Sequence, residues 1–263
     1  MKKYIGVFDS GLGGLTNVKE LRKIMPCENI VYFGDTGRVP YGSRSNDTII
    51  KYTRQDIRFL MSFPLKAIIV ACGTVSSVAL DVVKDELEVP IIGVVEPSVK
   101  AAINATRNKK IGIIGTEGTI KSESYKKKIL SLMPECEIYD VSCPLFVPLV
   151  ENGYIKSEAT KIIAREYLEP IKEKGVDTLI LGCTHYPLLT GVIKEIMGDN
   201  VSLINPGYET AIYAKEIIKC EEETKGSTDY YVSDSVDKFS YLASMFLEDK
   251  IDNKVKKIDI EEW

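Results

Sequence analysis

The chain has 263 residues, 44% hydrophobic and 27% charged, enough for a packed core in one large domain or two smaller ones. Its net charge is −4 and its pI near 5.4, and the basic clusters Asn108-Lys109-Lys110 and Lys126-Lys127-Lys128 are short, which excludes a nucleic-acid footprint. No apolar run approaches the ~18 residues needed to span a bilayer, and Met1–Val7 is too brief for a secretory core, so a cytoplasmic location with no membrane partner is expected.

Short apolar runs alternate with longer amphipathic ones. Lys3–Phe8 reads as a strand. Gly13–Met25 reads as a helix, with Leu15, Val18 and Leu21 at helical spacing. Asn29–Gly34 is a second strand, and Asp35–Arg44, rich in Gly, Pro and Ser, an ordered loop. A helix from Asn46 to Met61, the strand Ala67–Ala71, a helix over Thr74–Leu87, the strand Ile91–Val94 and the helix Glu96–Ala105 follow. The pattern then restarts with the strand Lys110–Gly115, a helix over Gly118–Leu132 and the strand Glu137–Val141. Cys143–Asn152 reads as a loop before the long helix Ser157–Lys174. Next come the strand Thr178–Leu181, a helix over Pro187–Met197, the strand Val201–Ile204 and a helix over Pro206–Ile218. Cys220–Ser227 is a polar connection, Tyr230–Val232 a last strand and Val236–Leu247 a last helix.

This alternation predicts right-handed βαβ units and mainly parallel sheets, with ligands beyond the carboxyl ends of the strands. The unusual residues cluster at those ends: Asp9-Ser10-Gly11, the Asp35–Ser43 loop, Cys72-Gly73-Thr74, Gly115-Thr116 and Cys183-Thr184-His185. Strand ends from both halves of the chain meet only if two α/β units face each other, so the site is placed in a cleft between two domains.

The glycine-rich turn Asp9–Gly14 lacks the third glycine of a dinucleotide fingerprint, and an acid at the strand end repels phosphate. It is read as a tight turn whose N–H groups and Ser10 can hold a carboxylate, while Asp9 can pair with an ammonium group. The six cysteines form no CxxC and there is one histidine, which disfavours a disulfide framework and a metal site; no cofactor or metal is expected. Cys27, Cys136 and Cys220 read as ordinary packed thiols. Cys72 and Cys183 differ, because both stand at a strand end before a helix, where the helix terminus favours a thiolate and lowers its pKa. His185 lies two residues from Cys183, and Asp9 is placed to approach Cys72; either can shuttle a proton. Two such thiols on opposite faces of a substrate can remove a proton from one side and return one on the other, which inverts a stereocentre.

Val7–Leu15, Gly34–Gly42 and Leu181–Pro187, in that order, resemble the corresponding segments of glutamate racemases, in the aspartate/glutamate racemase superfamily, and Tyr230–Asp234 with Phe239 resembles their closing segment. The resemblance implies a cofactor-independent racemase of two facing α/β domains, residues 1–96 plus 208–263 and residues 97–207, acting on glutamate to supply D-glutamate for peptidoglycan, with a homodimer as the expected assembly. It implies that Cys72 serves the D-enantiomer and Cys183 the L-enantiomer, with Asp9 assisting the first and His185 the second. Asp9, Ser10, Tyr41, Gly42, Gly73, Thr74, Thr184 and His185 are the implied substrate contacts, with Glu151, Thr116 and Pro40 as additional candidates. Arg38 and Asp35 also fit a structural ion pair. Gly73 departs from the family, which has asparagine there; a lost amide contact is worth about 1–3 kcal/mol and bears on substrate preference. The alternatives are a racemase of aspartate or of a broader acidic set, and a catalytically silent ligand-binding relative.

Overall fold

The structure, a computed structural model, describes residues 2–219, 225–249, 251 and 255–263. In chain order its elements begin β1 (Tyr4–Asp9), α1 (Leu15–Ile24), β2 (Asn29–Gly34), α2 (Asn46–Leu60), β3 (Leu65–Val70), α3 (Gly73–Val78), α4 (Leu80–Val83), β4 (Ile91–Gly93) and α5 (Val95–Ala105). They continue with β5 (Lys110–Gly115), α6 (Glu117–Ser122), α7 (Ser124–Leu132), β6 (Glu137–Ser142), α8 (Phe146–Glu151), α9 (Glu158–Lys172), β7 (Thr178–Leu181), α10 (Thr190–Met197) and β8 (Ser202–Ile204). The chain closes with α11 (Pro206–Ile217), β9 (Thr228–Val232), α12 (Val236–Leu247), β10 (Lys256–Lys257) and a 3-10 turn at Ile260–Glu262.

The fold is α/β, with two parallel sheets. One runs β10-β9-β2-β1-β3-β4 and the other β6-β5-β7-β8. Strands β1 to β4 and β5 to β8 share one order: the first strand of each set is flanked by its second on one side and its third on the other. Each sheet therefore has its switch point between first and third strand, where a parallel sheet opens a crevice at its carboxyl end.

The strands read as apolar runs because the first sheet is covered on both faces. Ile5, Val7, Tyr32 and Tyr230 pack with Leu15, Phe239 and Phe246 on one face, and Phe8, Phe33, Ile68 and Val70 pack with Ile57 and Leu60 on the other. Strand β9 joins this sheet beside β2, pairing Tyr32 with Tyr230, so the end of the chain completes the sheet with which it starts.

Several helices differ from expectation. The helix over 74–87 breaks at Ala79 into α3, α4 and a 3-10 turn. Ser76 donates to the Val70 carbonyl and accepts from the Val94 N–H, bonds that compete with helix propagation. The helix over 118–132 breaks at Glu123, whose φ is 56°, between Ser122 and Ser124; the Ser124 hydroxyl reaches back to the Ser77 carbonyl. The Cys143–Asn152 loop contains α8, because Pro148 falls in its first turn, where no N–H is needed. The helix after His185 begins as a 3-10 turn at Tyr186–Leu189. Of the cysteines, Cys72, Cys136, Cys143 and Cys183 are free, but Cys27 is disulfide-bonded, contrary to its reading as a packed thiol. In the connection Cys220–Ser227, residues 220–224 lie outside the described residues.

Candidate active site

Both switch points open into one cavity of about 420 Å³. From the first sheet it is lined by Ser10 and Gly11 after β1, the loop Val39–Ser43 after β2, and Cys72, Gly73 and Thr74 after β3. From the second it is lined by Thr116 and Glu117 after β5, Pro144, Val147, Pro148, Glu151 and Asn152 after β6, and Gly182 to His185 after β7. Cys72 and Cys183 hold equivalent places, each the second residue after the third strand of its sheet.

On the first wall, the Cys72 thiol donates to Ser10 Oγ at 3.5 Å. Asp9 stands one layer behind Ser10: it is buried, it is not among the cavity-lining residues, and its Oδ2 accepts from the Gly11 N–H at 3.0 Å. Asp9 Oδ1 has no hydrogen-bond partner among the described residues. Burial raises the Asp9 carboxyl, opposed by His185 and by the Gly11 and Gly14 N–H groups. Burial, and then the Asp9 charge, push the Cys72 thiol up to about 11.

On the second wall, the Cys183 thiol lies 3.9 Å from His185 Nδ1, and His185 Nε2 lies 3.2 Å from Glu151 Oε1. Burial likewise raises Cys183. The expected lowering of both thiols by helix termini is thus overturned. α3 has only six residues and the Cys183 segment enters a 3-10 turn, so burial outweighs what dipole each offers. Burial would also raise Glu151, but hydrogen bonds and charge from His185 and Lys238 outweigh it and hold the carboxyl below its ordinary range.

The walls touch through small residues. A Cβ on Gly13 would lie 2.2 Å from Thr184 Oγ1 and 2.5 Å from His185 Nδ1, so glycine lets the turn before α1 approach the imidazole this closely. A Cβ on Gly73 would lie 2.3 Å from the Gly182 carbonyl oxygen, where the two strand ends meet backbone to backbone. Gly73 therefore removes an amide and also brings the walls together. The Thr16 hydroxyl donates to the Thr184 carbonyl at 3.0 Å, and the Gly118 N–H to the Gly42 carbonyl at 3.0 Å. Thr74 and Thr116 hydroxyls are 2.9 Å apart, and Thr116 also caps α6 by accepting from the Thr119 N–H.

The loop over 35–44 is clamped from behind. Arg38 bonds Asp35 at 2.6 Å, Gln55 at 2.6 Å, Asp56 at 3.0 Å and Glu261 at 3.3 Å, and its guanidinium lies over the Tyr52 ring. The Tyr41 hydroxyl donates to Asp35 and lies 3.1 Å from Asp56 Oδ2 inside this network, so the hydroxyl is engaged in the clamp while Tyr41 and Gly42 line the cavity. Pro40, which follows a cis bond from Val39, also lines the cavity. Burial and then Asp35 raise the Asp56 carboxyl. The Arg38–Asp35 pair is thus part of a structural clamp.

The profile of the Asp/Glu/Hydantoin racemase family matches residues 38–212. A glutamate racemase from Geobacter metallireducens is 44% identical over 254 residues, covering 95% of this chain and 94% of the relative. The chain belongs to this racemase family, among its glutamate racemases. It is accordingly an isomerase by family. A glutamate racemase isoform from Bacillus anthracis superposes with a TM-score of 0.94 at 37% identity, covering 98% of each chain. One from Francisella tularensis, solved in complex with D-glutamate, gives 0.92 at 36%, covering 100% of this chain and 99% of its own. Such racemases are two-sheet α/β proteins like this one.

Within this racemase, the cavity gathers Ser10, Pro40, Tyr41, Gly42, Cys72, Gly73, Thr74, Thr116, Glu151, Cys183, Thr184 and His185, and leaves Asp9 behind the wall. Sequence reasoning missed Pro144, Val147 and Asn152 around α8, and Lys238 and Phe246 on α12, which bear on Glu151 and His185. No local signal marks these residues, since α12 reads as an ordinary amphipathic helix. Among the described residues no group of three potential ligands is arranged to hold a metal ion, and no helix is long and apolar enough to cross a membrane.

Proposed function

We propose that this chain interconverts L- and D-glutamate by a two-base mechanism without a cofactor. The observation that carries the reading is the placement of two free thiols at equivalent ends of two sheets, facing one cavity, each with its own proton-handling partners. Cys72, backed by Ser10 and Asp9, serves the D-enantiomer; Cys183, backed by His185 and Glu151, serves the L-enantiomer. One sulfur takes the α-proton as the C–H bond breaks, and the opposite thiol gives a proton to the other face of the resulting carbanion. Because burial raises both thiols, each needs a partner to take the S–H proton, Asp9 by way of Ser10 on one wall and His185 on the other. Ser10, Tyr41, Gly42, Thr74 and Thr184 hold the substrate, and N–H groups at the strand ends stabilise developing charge. Thr116 supports Thr74, and Pro40 shapes the cavity.

The domains are residues 1–96 plus 208–263 and residues 97–207, supported by the division of strands between the sheets. The role is cytoplasmic supply of D-glutamate for peptidoglycan, by a homodimer. The test is incubation with L-glutamate and with L-aspartate in D₂O, following optical rotation and α-proton exchange. Inversion of glutamate with solvent deuterium in the product is expected. The second reading, aspartate in place of glutamate, is favoured by the close approach at Gly73, which leaves less room between the walls; inversion of aspartate alone would establish it. Retention of the α-proton with both substrates would sink both readings and favour a silent ligand-binding relative.

A further inference from the structure

The Cys183 wall contains a chain of contacts that runs past His185 to the surface. Glu151 Oε1 meets His185 Nε2, and Glu151 Oε2 meets Lys238 Nζ, each at 3.2 Å. Lys238 belongs to α12, whose Phe239, Ala243 and Phe246 are buried in the core of the first sheet. The same helix brings the Phe246 ring edge-on to the imidazole, with centroids 5.3 Å apart and planes at 89°. Helix α12 thus touches both members of the His185–Glu151 pair, whereas the pair itself hangs on α8 and the turn after β7. The ion pair forms only where the two halves of the molecule are together.

We propose that Lys238 is a positioning residue for the Cys183 half-site: it anchors the Glu151 carboxylate that in turn orients His185 beside the thiol. This rests on the reading that His185 serves Cys183. A carboxylate on a ring N–H fixes the tautomer and leaves the other ring nitrogen free to accept a proton. Here that other nitrogen, Nδ1, is the one facing sulfur. Without a cation, the partly buried Glu151 is free to turn or to take a proton, and the ring loses its acceptor.

The charged or titratable groups facing Glu151 are His185 from the turn after β7, Lys238 from α12 and, farther back, Asp9 from β1; α8 carries no other charge. Two of the three bear on Glu151 as cations or hydrogen-bond donors, and Lys238 is the one exposed enough to be replaced without disturbing the core, its side chain being 60% accessible. Lys238→Met therefore lets the Glu151 carboxyl rise toward its ordinary value, and the loss of activity on the acid side begins at higher pH.

The experiment compares wild type with Lys238→Met, Lys238→Arg, His185→Asn and Lys257→Met. The last removes a surface bridge of the same kind, to Asp234, elsewhere on the chain's closing segment. Lys238→Met is expected to lower kcat/KM for glutamate by about three- to fivefold, the scale of an exposed ion pair, and to move the acid limb of the pH profile upward. Because the enantiomers are equally stable, kcat/KM falls equally from either side. The α-deuterium isotope effect then separates the walls: it grows with L-glutamate, whose proton Cys183 takes, and not with D-glutamate. Lys238→Arg restores the limb, and Lys257→Met leaves it in place. A fall in rate with no movement of limb or isotope effect, or no change at all, overturns the inference while His185→Asn remains impaired. Full activity of His185→Asn overturns the underlying reading, and the inference with it.

Discussion

The two walls of the cavity carry the same side chain, a cysteine thiol, at the same place in the same strand order, yet they are supported in opposite ways. Behind Cys72 lie Ser10, the buried Asp9 and a clamp in which Arg38 joins Asp35, Asp56, Gln55 and Glu261. Behind Cys183 lies a line of single contacts, His185 to Glu151 to Lys238, that ends in solvent. The difference teaches that two thiols at matching places do not need matched scaffolding. One wall is fixed by buried charge, so damage there appears as lost stability. The other ends in accessible charge, so damage there is expected to appear in the pH profile.

The comparison is broken most severely at the sulfurs. Cys72→Ser and Cys183→Ser should each lower racemisation by about 10²–10⁴-fold, the range for a positioned acid or base. Each should still support elimination from a suitable half-reaction substrate on one enantiomer only. Near-normal racemisation by either variant would show that the walls do not act as a pair. Next comes Arg38→Ala. Its side chain is 10% exposed and both Asp35 and Asp56 side chains are fully buried, so its loss leaves buried acid without a cation. Urea unfolding should show a loss of about 3 kcal/mol or more. Equal stability in the two proteins would remove the claim that this wall is held by buried charge.

Gly73→Asn tests the seam between the walls. The new Cβ meets the backbone at Gly182, which cannot rotate away, so the strand ends must separate at a cost of about 1–3 kcal/mol. A raised KM for glutamate is expected, and an unchanged KM would show that the close approach does not set how substrate sits. The smallest effect belongs to Glu151→Gln measured by stability alone. The Glu151 carboxyl is held below its ordinary range, so its stabilising contribution is present above the ordinary carboxylate pKa of about 4.3 and is lost as pH falls through the lower folded value. Wild type and variant should therefore differ slightly at pH 7 and converge in acid; a gap that persists in acid would mean that Glu151 acts by packing.

Much of this was legible from residue order. Alternating apolar and amphipathic runs yield parallel α/β sheets, and Cys72, Cys183, Thr74 and His185 announce themselves by standing at strand ends. What was hidden depends on contacts between distant segments. Nothing local says that β9 pairs beside β2, or that α12 delivers Lys238 to Glu151 and Phe246 to His185. The direction of the thiol pKa shifts is hidden because a helix terminus can be seen in sequence and burial cannot. The breaks at Ala79 and Glu123 are not legible in the sequence, because serines in the interior of a helix pattern look neutral until their hydroxyls find a carbonyl. Asp9 was legible as important, but its place behind the wall rather than on it required the structure.

The return of β9 and β10 to the first sheet also sets an order of assembly during synthesis. Strands β5 to β8 lie together in residues 110–204, so the second sheet has all its strands while the first still lacks two. A nascent chain that has just passed β8 holds one finished sheet and one open edge at β2, and Tyr32 then has neither Tyr230 nor Phe239 to pack against. The exposed edge invites mispairing until the closing segment arrives. Truncation before β9 should therefore harm solubility in the cell more than its small share of the length suggests.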